Sequence, residues 1–301
     1  MTNRRELLLL TSTLARTLSL RAQPAATQLF RAGICIGDQT PEAFWKNCDQ
    51  CSQVGFHHIE SSGAGIRLVD VYGPNPGQLK EELVKRQLTL IGYAHYSPMA
   101  DPAKRDDLIS LHLRIGRTLQ PIGTKYVTHL LIPPTKPGLS VDQLPAQMSA
   151  EDFKNFGRNA NEVGKRLREE TGLRIGYHAE TVDVAAGLLD RIMEAADPRY
   201  FDLVADVGHL AAGGLDPLQV YKKYSSRIIT THLRDYDPNI EFERNGKTIK
   251  GRFVPLGQGK INLAALLAFL RERKFTGQVM AEGGGLAASR DYMVQQLSLQ
   301  L

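Results

Sequence analysis

Between residues 174 and 235 three short apolar runs end, one after another, in residue types that bind metals, and this repetition constrains the fold more than any other feature. The runs read RIGYHAE, DLVADVGH and IITTHLRD. They deliver Glu180, then Asp206 and His209, then His232 and Asp235. A fourth run, GQVMAE, ends in Glu282. Runs of this length separated by helix-like segments read as parallel strands joined by crossover helices. A closed parallel barrel gathers all strand C-termini at one face, so these side chains would converge.

Taken in order, strand and helix alternate eight times. Strands are expected over 30–36, 56–61, 88–96 and 126–132, then in the three runs above, then over 277–282. Helices are expected over 41–55, 79–87, 104–119 and 149–172, after Asn262, and over 289–299. Thr40, Pro41 and Gly55 are start and stop signals for the first of these; Ser149 with Asp152, and Gly172, bracket the longest. The polar insert 236–259 exceeds a minimal strand-to-helix loop. At that face of a barrel it would act as a lid or contact substrate. The expected architecture is α/β: one (β/α)8 TIM barrel over residues 27–301. A chain of 301 residues with 42% hydrophobic content supplies such a core without a second domain.

Residues 1–26 read as an address. A twin arginine, an apolar segment and small residues at Ala25 and Ala26 fit an export signal of the twin-arginine type, with an amphipathic helix packed on the barrel as the alternative. The expected location is periplasmic or exported, and cytoplasmic if the leader does not function. Of the net charge of +5, this segment holds +3, leaving +2 on the remainder. That balance gives no reason to expect nucleic-acid binding. No other stretch reaches the roughly 18–20 apolar residues needed to span a bilayer. Cys48 and Cys51 lack the second ligand pair of a structural zinc and read as ordinary helix residues.

The fingerprints G-x-G-x-x-G, the P-loop and G-x-S-x-G are all missing, which argues against nucleotide and serine-hydrolase chemistry. The carboxylate and histidine series is left. Glu180, Asp206, His232 and Glu282 would offer three carboxylates and one imidazole to a divalent cation. Such a set favours Mn²⁺, Mg²⁺ or Co²⁺, with Zn²⁺ open. Singly, each acid is equally a helix N-cap or a solvated charge; four in series carry the argument. Glu60 and His95, near the ends of strands two and three, are candidate substrate contacts. His178 shares the face of Glu180 and reads as packing or support one layer deeper.

The strings DVGHLAAGGLDP (206–217), THLRDYDP (231–238), FVPLGQGKIN (253–262) and MAEGGGLAASRDYM (280–293) resemble the xylose isomerase-like barrels, in the branch of sugar phosphate isomerases/epimerases that includes inosose dehydratase-like proteins. The resemblance implies Glu180, Asp206, His232 and Glu282 as metal ligands and His209 as a contact to substrate oxygens. Two positions depart from it. Strand five reads Tyr177-His178-Ala179-Glu180 where dehydratase-type relatives carry a second histidine, and Arg234 stands where lysine is common. Glu180 and Glu282 are the expected proton-moving pair, and Arg234 a further substrate contact. The expected function is a metal-dependent sugar isomerase or epimerase working through a metal-stabilised enediolate on a sugar, polyol ketone or keto-glycoside. A dehydratase on the same site and a non-catalytic sugar-binding protein are the alternatives. The partner is then a small sugar or polyol, with no nucleic acid and no membrane span in the mature chain; a homo-oligomer is allowed.

Overall fold

Capping chemistry sets the helix boundaries. Thr40 Oγ1 accepts from the Ala43 amide at 3.1 Å, Pro41 opens the helix, and Gly55 closes it at φ 95°. A left-handed residue without a Cβ lets the chain leave the helix there. Ser149 and Asp152 form a reciprocal capping box, and that helix stops at Gly172. Asn262 Oδ1 accepts from the Ala265 amide at 3.0 Å.

The computed structural model describes residues 29–37, 40–62, 68–244 and 247–301. The leader expected over 1–26 lies outside these residues. In chain order the elements are β1 (Arg31–Ile36), α1 (Pro41–Val54), β2 (His58–Ser61), α2 (Leu68–Tyr72), α3 (Pro76–Lys85), β3 (Thr89–Ser97), α4 (Arg105–Leu119), β4 (Tyr126–Leu131), α5 (Ala150–Thr171), β5 (Arg174–His178), α6 (Thr181–Ala185), α7 (Leu188–Ala195) and β6 (Asp202–Asp206). There follow α8 (Val207–Ala212), α9 (Pro217–Tyr224), β7 (Ile228–Leu233), β8 (Asp235–Arg244), β9 (Lys247–Val254), α10 (Leu263–Glu272), β10 (Gln278–Ala281) and α11 (Leu286–Gln295). Eight strands close a parallel barrel in the order β1-β10-β7-β6-β5-β4-β3-β2. The expected (β/α)8 barrel is the fold observed.

Two segments differ from expectation. The insert after β7 is mostly the antiparallel ribbon β8–β9, with Asp235 opposite Val254 and Arg244 opposite Lys247, instead of an irregular loop. Its alternating polar and apolar residues around Asn245-Gly246 are a hairpin signal that a reading by polarity alone passes over. The last helix begins at Leu286, not Ser289. Ser289 is buried, and its hydroxyl donates to Gly283 O at 3.0 Å, so it ties the helix back to the strand end instead of capping it.

The main core lies between the strands and the helical shell. Close approach there depends on two glycines one face apart on α5. A Cβ on Gly157 would lie 2.3 Å from Ala195 O, and one on Gly164 would lie 2.2 Å from Tyr200 O. A second, smaller cluster of Ile91, Tyr126, Val204, Ile229 and Met280 fills the barrel's interior. Above this floor the inward positions become polar.

Candidate active site

The polar layer begins with Glu60 on β2, which is fully buried. Tyr126 donates to its Oε2 at 2.5 Å and Thr128 to its Oε1 at 2.6 Å, both from β4. His232 Nε2, from β7, lies 2.9 Å from Oε2. β2 and β7 are not neighbours in the sheet, so these contacts cross the barrel interior. Glu60 therefore has both oxygens engaged, and it stands behind His232 instead of presenting a free carboxylate to substrate. With the Nε2 proton donated to Glu60, His232 turns Nδ1 toward the strand ends. A carboxylate on the far nitrogen of an imidazole fixes its tautomer and orientation.

Around that nitrogen four ligand-type atoms gather. One each from His178, Asp206, His232 and Glu282 lie within 4.8 Å of one another. His178 ends β5, Asp206 ends β6, His232 lies in β7, and Glu282 follows β10. Their remaining contacts leave specific atoms over. Asp206 Oδ1 accepts from the His209 amide at 2.8 Å, as the N-cap of α8, while its Oδ2 is buried without a hydrogen-bond partner. His232 Nδ1 and Glu282 Oε2 are 2.8 Å apart, yet neither has a hydrogen-bond partner. His178 Nδ1 is in the same position. Buried polar atoms are normally paired. Three orphaned atoms, Asp206 Oδ2, His232 Nδ1 and Glu282 Oε2, together with His178, whose Nε2 lies 3.7 Å from Asp206 Oδ2, fit a divalent ion that would engage all four residues.

Electrostatics point the same way. Burial alone would raise the Asp206 carboxyl, but His209, His178 and Arg234 hold it well below the usual carboxylate range. Burial likewise opposes ionisation of Glu282, and His232 and Arg234 bring it down to about 2. Burial would lower His232, yet Cys35 and Glu60 draw it well above its ordinary value. The neighbouring histidines and Arg234 thus keep both acids ionised, the form in which a carboxylate can bind a metal.

Arg234 supplies part of that charge. Its guanidinium pairs with Glu282 and lies 3.3 Å from Asp206 Oδ2, with the ring of Phe253 at 4.8 Å. Phe253, from β9, also packs on His209 at 5.1 Å between ring centroids. The base of the ribbon thus covers the site, as expected of an insert at this face.

Glu180 is placed differently from the other three expected ligands. β5 ends at His178, so Glu180 lies past the strand as N-cap of α6. Its Oε1 is 3.7 Å from His178 Nδ1 and its Oε2 is 3.2 Å from His209 Nε2. His209 Nδ1 accepts from the Thr181 amide at 3.1 Å, which leaves Nε2–H to face Glu180. His178, expected to lie deeper as support, takes the place in the cluster. The shared face of 178 and 180 was the available signal, and the strand's end decided between them.

His95 is a clear correction. Alternation along β3 points Ala94 and Tyr96 into the pocket, and His95 the other way, where it stacks on Tyr93 at 6.4 Å and meets His112 of α4 edge-on at 5.7 Å. The β3 side chain that lines the pocket near its mouth is Tyr96, which sequence reasoning missed. The pocket over the cluster holds about 250 Å³. Glu60, His178, Glu180, His232 and Glu282 line it together with Ala94, Tyr96 and Leu130, and Leu130 is paired in register with His178. A larger cavity of about 530 Å³ lies by α9 and α10, but it holds no group of metal-ligating side chains.

Among the described residues no helix is long and apolar enough to cross a membrane. The family model for the xylose isomerase-like TIM barrel matches residues 48–295. An inosose dehydratase of Geobacillus kaustophilus (strain HTA426) is 31% identical over 123 residues; that match covers 38% of this chain and 40% of the relative, less than half the length of either. Among solved structures, a xylose isomerase-like TIM barrel protein from Mycobacterium smegmatis in complex with magnesium superposes with a TM-score of 0.66 at 16% identity, covering 92% of this chain and 99% of that one. A 3-keto-D-glucoside 4-epimerase from E. coli gives 0.63 at 17%, covering 88% and 98%. At such identities the two structures testify to a common fold. With the family model spanning most of the barrel, the chain belongs to the xylose isomerase-like TIM barrel family.

Proposed function

We propose that this chain is a divalent-metal-dependent enzyme that moves a proton next to a carbonyl of a sugar, polyol ketone or keto-glycoside, as an isomerase or epimerase. One observation carries the reading: ligand atoms of His178, Asp206, His232 and Glu282 converge, those of the last three without hydrogen-bond partners, with the far side of His232 anchored on Glu60. Two imidazoles and two carboxylates are softer than the three-carboxylate set expected, which brings Co²⁺ and Zn²⁺ up beside Mn²⁺ and weighs against Mg²⁺. A divalent ion bound there supplies Lewis acidity to a carbonyl and neighbouring hydroxyl.

The chain's own groups then divide the work. Glu282 is engaged by His232 and Arg234, whereas Glu180 is half-buried, faces the pocket and is steadied by His209. We assign proton abstraction to Glu180. His209 and Arg234 lie where substrate oxygens would meet N–H donors, and Glu282 reaches the pocket from β10 on another side. Return of the proton to the opposite face of the same carbon epimerises; return to the adjacent carbon isomerises.

Asp206→Asn should lose stoichiometric divalent metal. Glu180→Gln should keep the metal and lose solvent-deuterium incorporation α to the carbonyl by about 10²–10⁴-fold. Undiminished exchange in Glu180→Gln would refute its role. A wild-type protein that binds no divalent ion would favour a sugar-binding function instead.

A dehydratase is the second reading. It is favoured by His178 in the cluster, because the Tyr177-His178 pair is what this chain shares with dehydratase-type relatives, and by the Geobacillus match. Accumulation of an unsaturated ketone in the same incubation would select it.

A further inference from the structure

A second cavity lies beyond the strand ends on the β3–β4 side of the pocket. β3 and β4 are paired in register, with Tyr96 opposite Leu130 and Ser97 opposite Leu131. Their inward positions line the catalytic pocket as Ala94 and Tyr96 on β3, and as Thr128 and Leu130 on β4. One step further along the same two faces come Pro98 and Ile132, and both line a separate cavity of about 370 Å³. The slot therefore stands on the rim directly outside the catalytic pocket.

Its walls are mainly apolar and preformed, with Asp101, Thr135 and Asp152 as the polar residues among them. Pro98, Ala100, Pro102, Ile132, Pro133 and Pro134 supply the walls, and four prolines present flat faces with no N–H. Its two carboxylates are held by local contacts: Asp101 Oδ1 accepts from the Ala103 amide at 2.9 Å, and Asp152 closes the capping box of α5. The 98–102 segment is held by buried Asn159, which donates to Met99 O and Asp101 O, both at 2.9 Å. The Ile132 amide ties the other wall to Ser97 O at 3.1 Å. At the junction of pocket and slot, Tyr96 and Ile132 are 40% and 41% exposed, large apolar surfaces open at a site otherwise built for oxygen atoms.

We infer that the slot binds an apolar, ring-shaped substituent of the substrate, so that the natural substrate is a keto sugar carrying an aglycone. This inference rests on the proposed proton-transfer function. A free sugar has hydroxyls at every position and would leave these walls facing water. A substituent leaving the sugar on the β3–β4 side would follow the two strand faces outward and bury them.

The test is to measure dissociation constants of phenyl and methyl 3-keto-glucoside for the full chain with Mn²⁺, alongside deuterium exchange on both ligands. The phenyl compound should bind at least about tenfold more tightly. Ile132→Ser, which removes a wall, and Thr135→Trp, which fills the slot, should each bring that ratio near one. Equal affinities in the wild type, or a ratio that survives both substitutions, would overturn the inference. Exchange on the methyl compound without a phenyl preference sinks the slot alone. A phenyl preference without exchange on either compound supports the slot and sinks proton transfer. Failure of both ligands to bind removes both proposals.

Discussion

Glu60, through its 2.9 Å contact with Nε2, decides what His232 can do. Replacing it with glutamine keeps the hydrogen-bonding shape but removes the charge that orients the imidazole. Metal affinity should fall by about 10–100-fold, measured by chelator competition, without loss of the fold. The histidines facing away from the pocket set a different limit. His112 is fully buried on α4, and burial lowers its pKa to about 4, partly offset by its bond to Leu108 O at 2.7 Å. His129 is pushed well below its ordinary value, first by burial and then by His112 and His95. For an imidazole that folds neutral, the linked stability is fully present above the unfolded pKa near 6.5 and is lost as pH falls toward the folded value. His112 alone accounts for about 3 kcal/mol across that window. His112→Leu should therefore flatten denaturant-unfolding stability between pH 6.5 and 4; an unchanged acid limb would count against it.

Among the elements, helix ends were the most legible in the sequence. Caps act locally, so Thr40, Gly55, Ser149, Gly172 and Asn262 could be read without knowing the fold. The ribbon β8–β9 was not, because its alternation around Asn245-Gly246 is carried by few apolar residues in a polar stretch. What holds its base is Asp235, whose Oδ2 accepts from the amides of Gly257 and Gly259 at 2.9 Å each and whose Oδ1 accepts from Tyr236 and Ile261. Asp235→Ala should raise amide hydrogen exchange over 255–261 while leaving metal content unchanged. Helix packing carries its own sharp test. Gly164→Ala places a methyl against Tyr200 O and should cost about 1–3 kcal/mol in thermal unfolding, since rigid backbone and not a flexible side chain stands in the way.

At the scale of the whole molecule, the sequence located the ring of strand ends but not which way each side chain faces. The count of alternating segments pointed to the barrel, and Asp206, His232 and Glu282 meet as that topology requires. His95 was misjudged because a one-residue shift in where a strand's alternation begins reverses inside and outside. His178 and Glu180 share a parity, so only the point where β5 ends could separate them.

The alternation on β3 and β4 has one more consequence. Ligand-type side chains come from β5, β6, β7 and β10, whereas the apolar walls of pocket and slot come from β3, β4 and the loops that follow them. Around the mouth the ligand-type residues thus occupy one run of strands and the apolar walls the adjoining pair, which meet where Leu130 of β4 stands in register with His178 of β5. Substitutions on that pair can exchange the group that is recognised without disturbing the groups that react. A lineage built on this plan could change its diet by altering the loops after two strands, and leave its chemistry untouched.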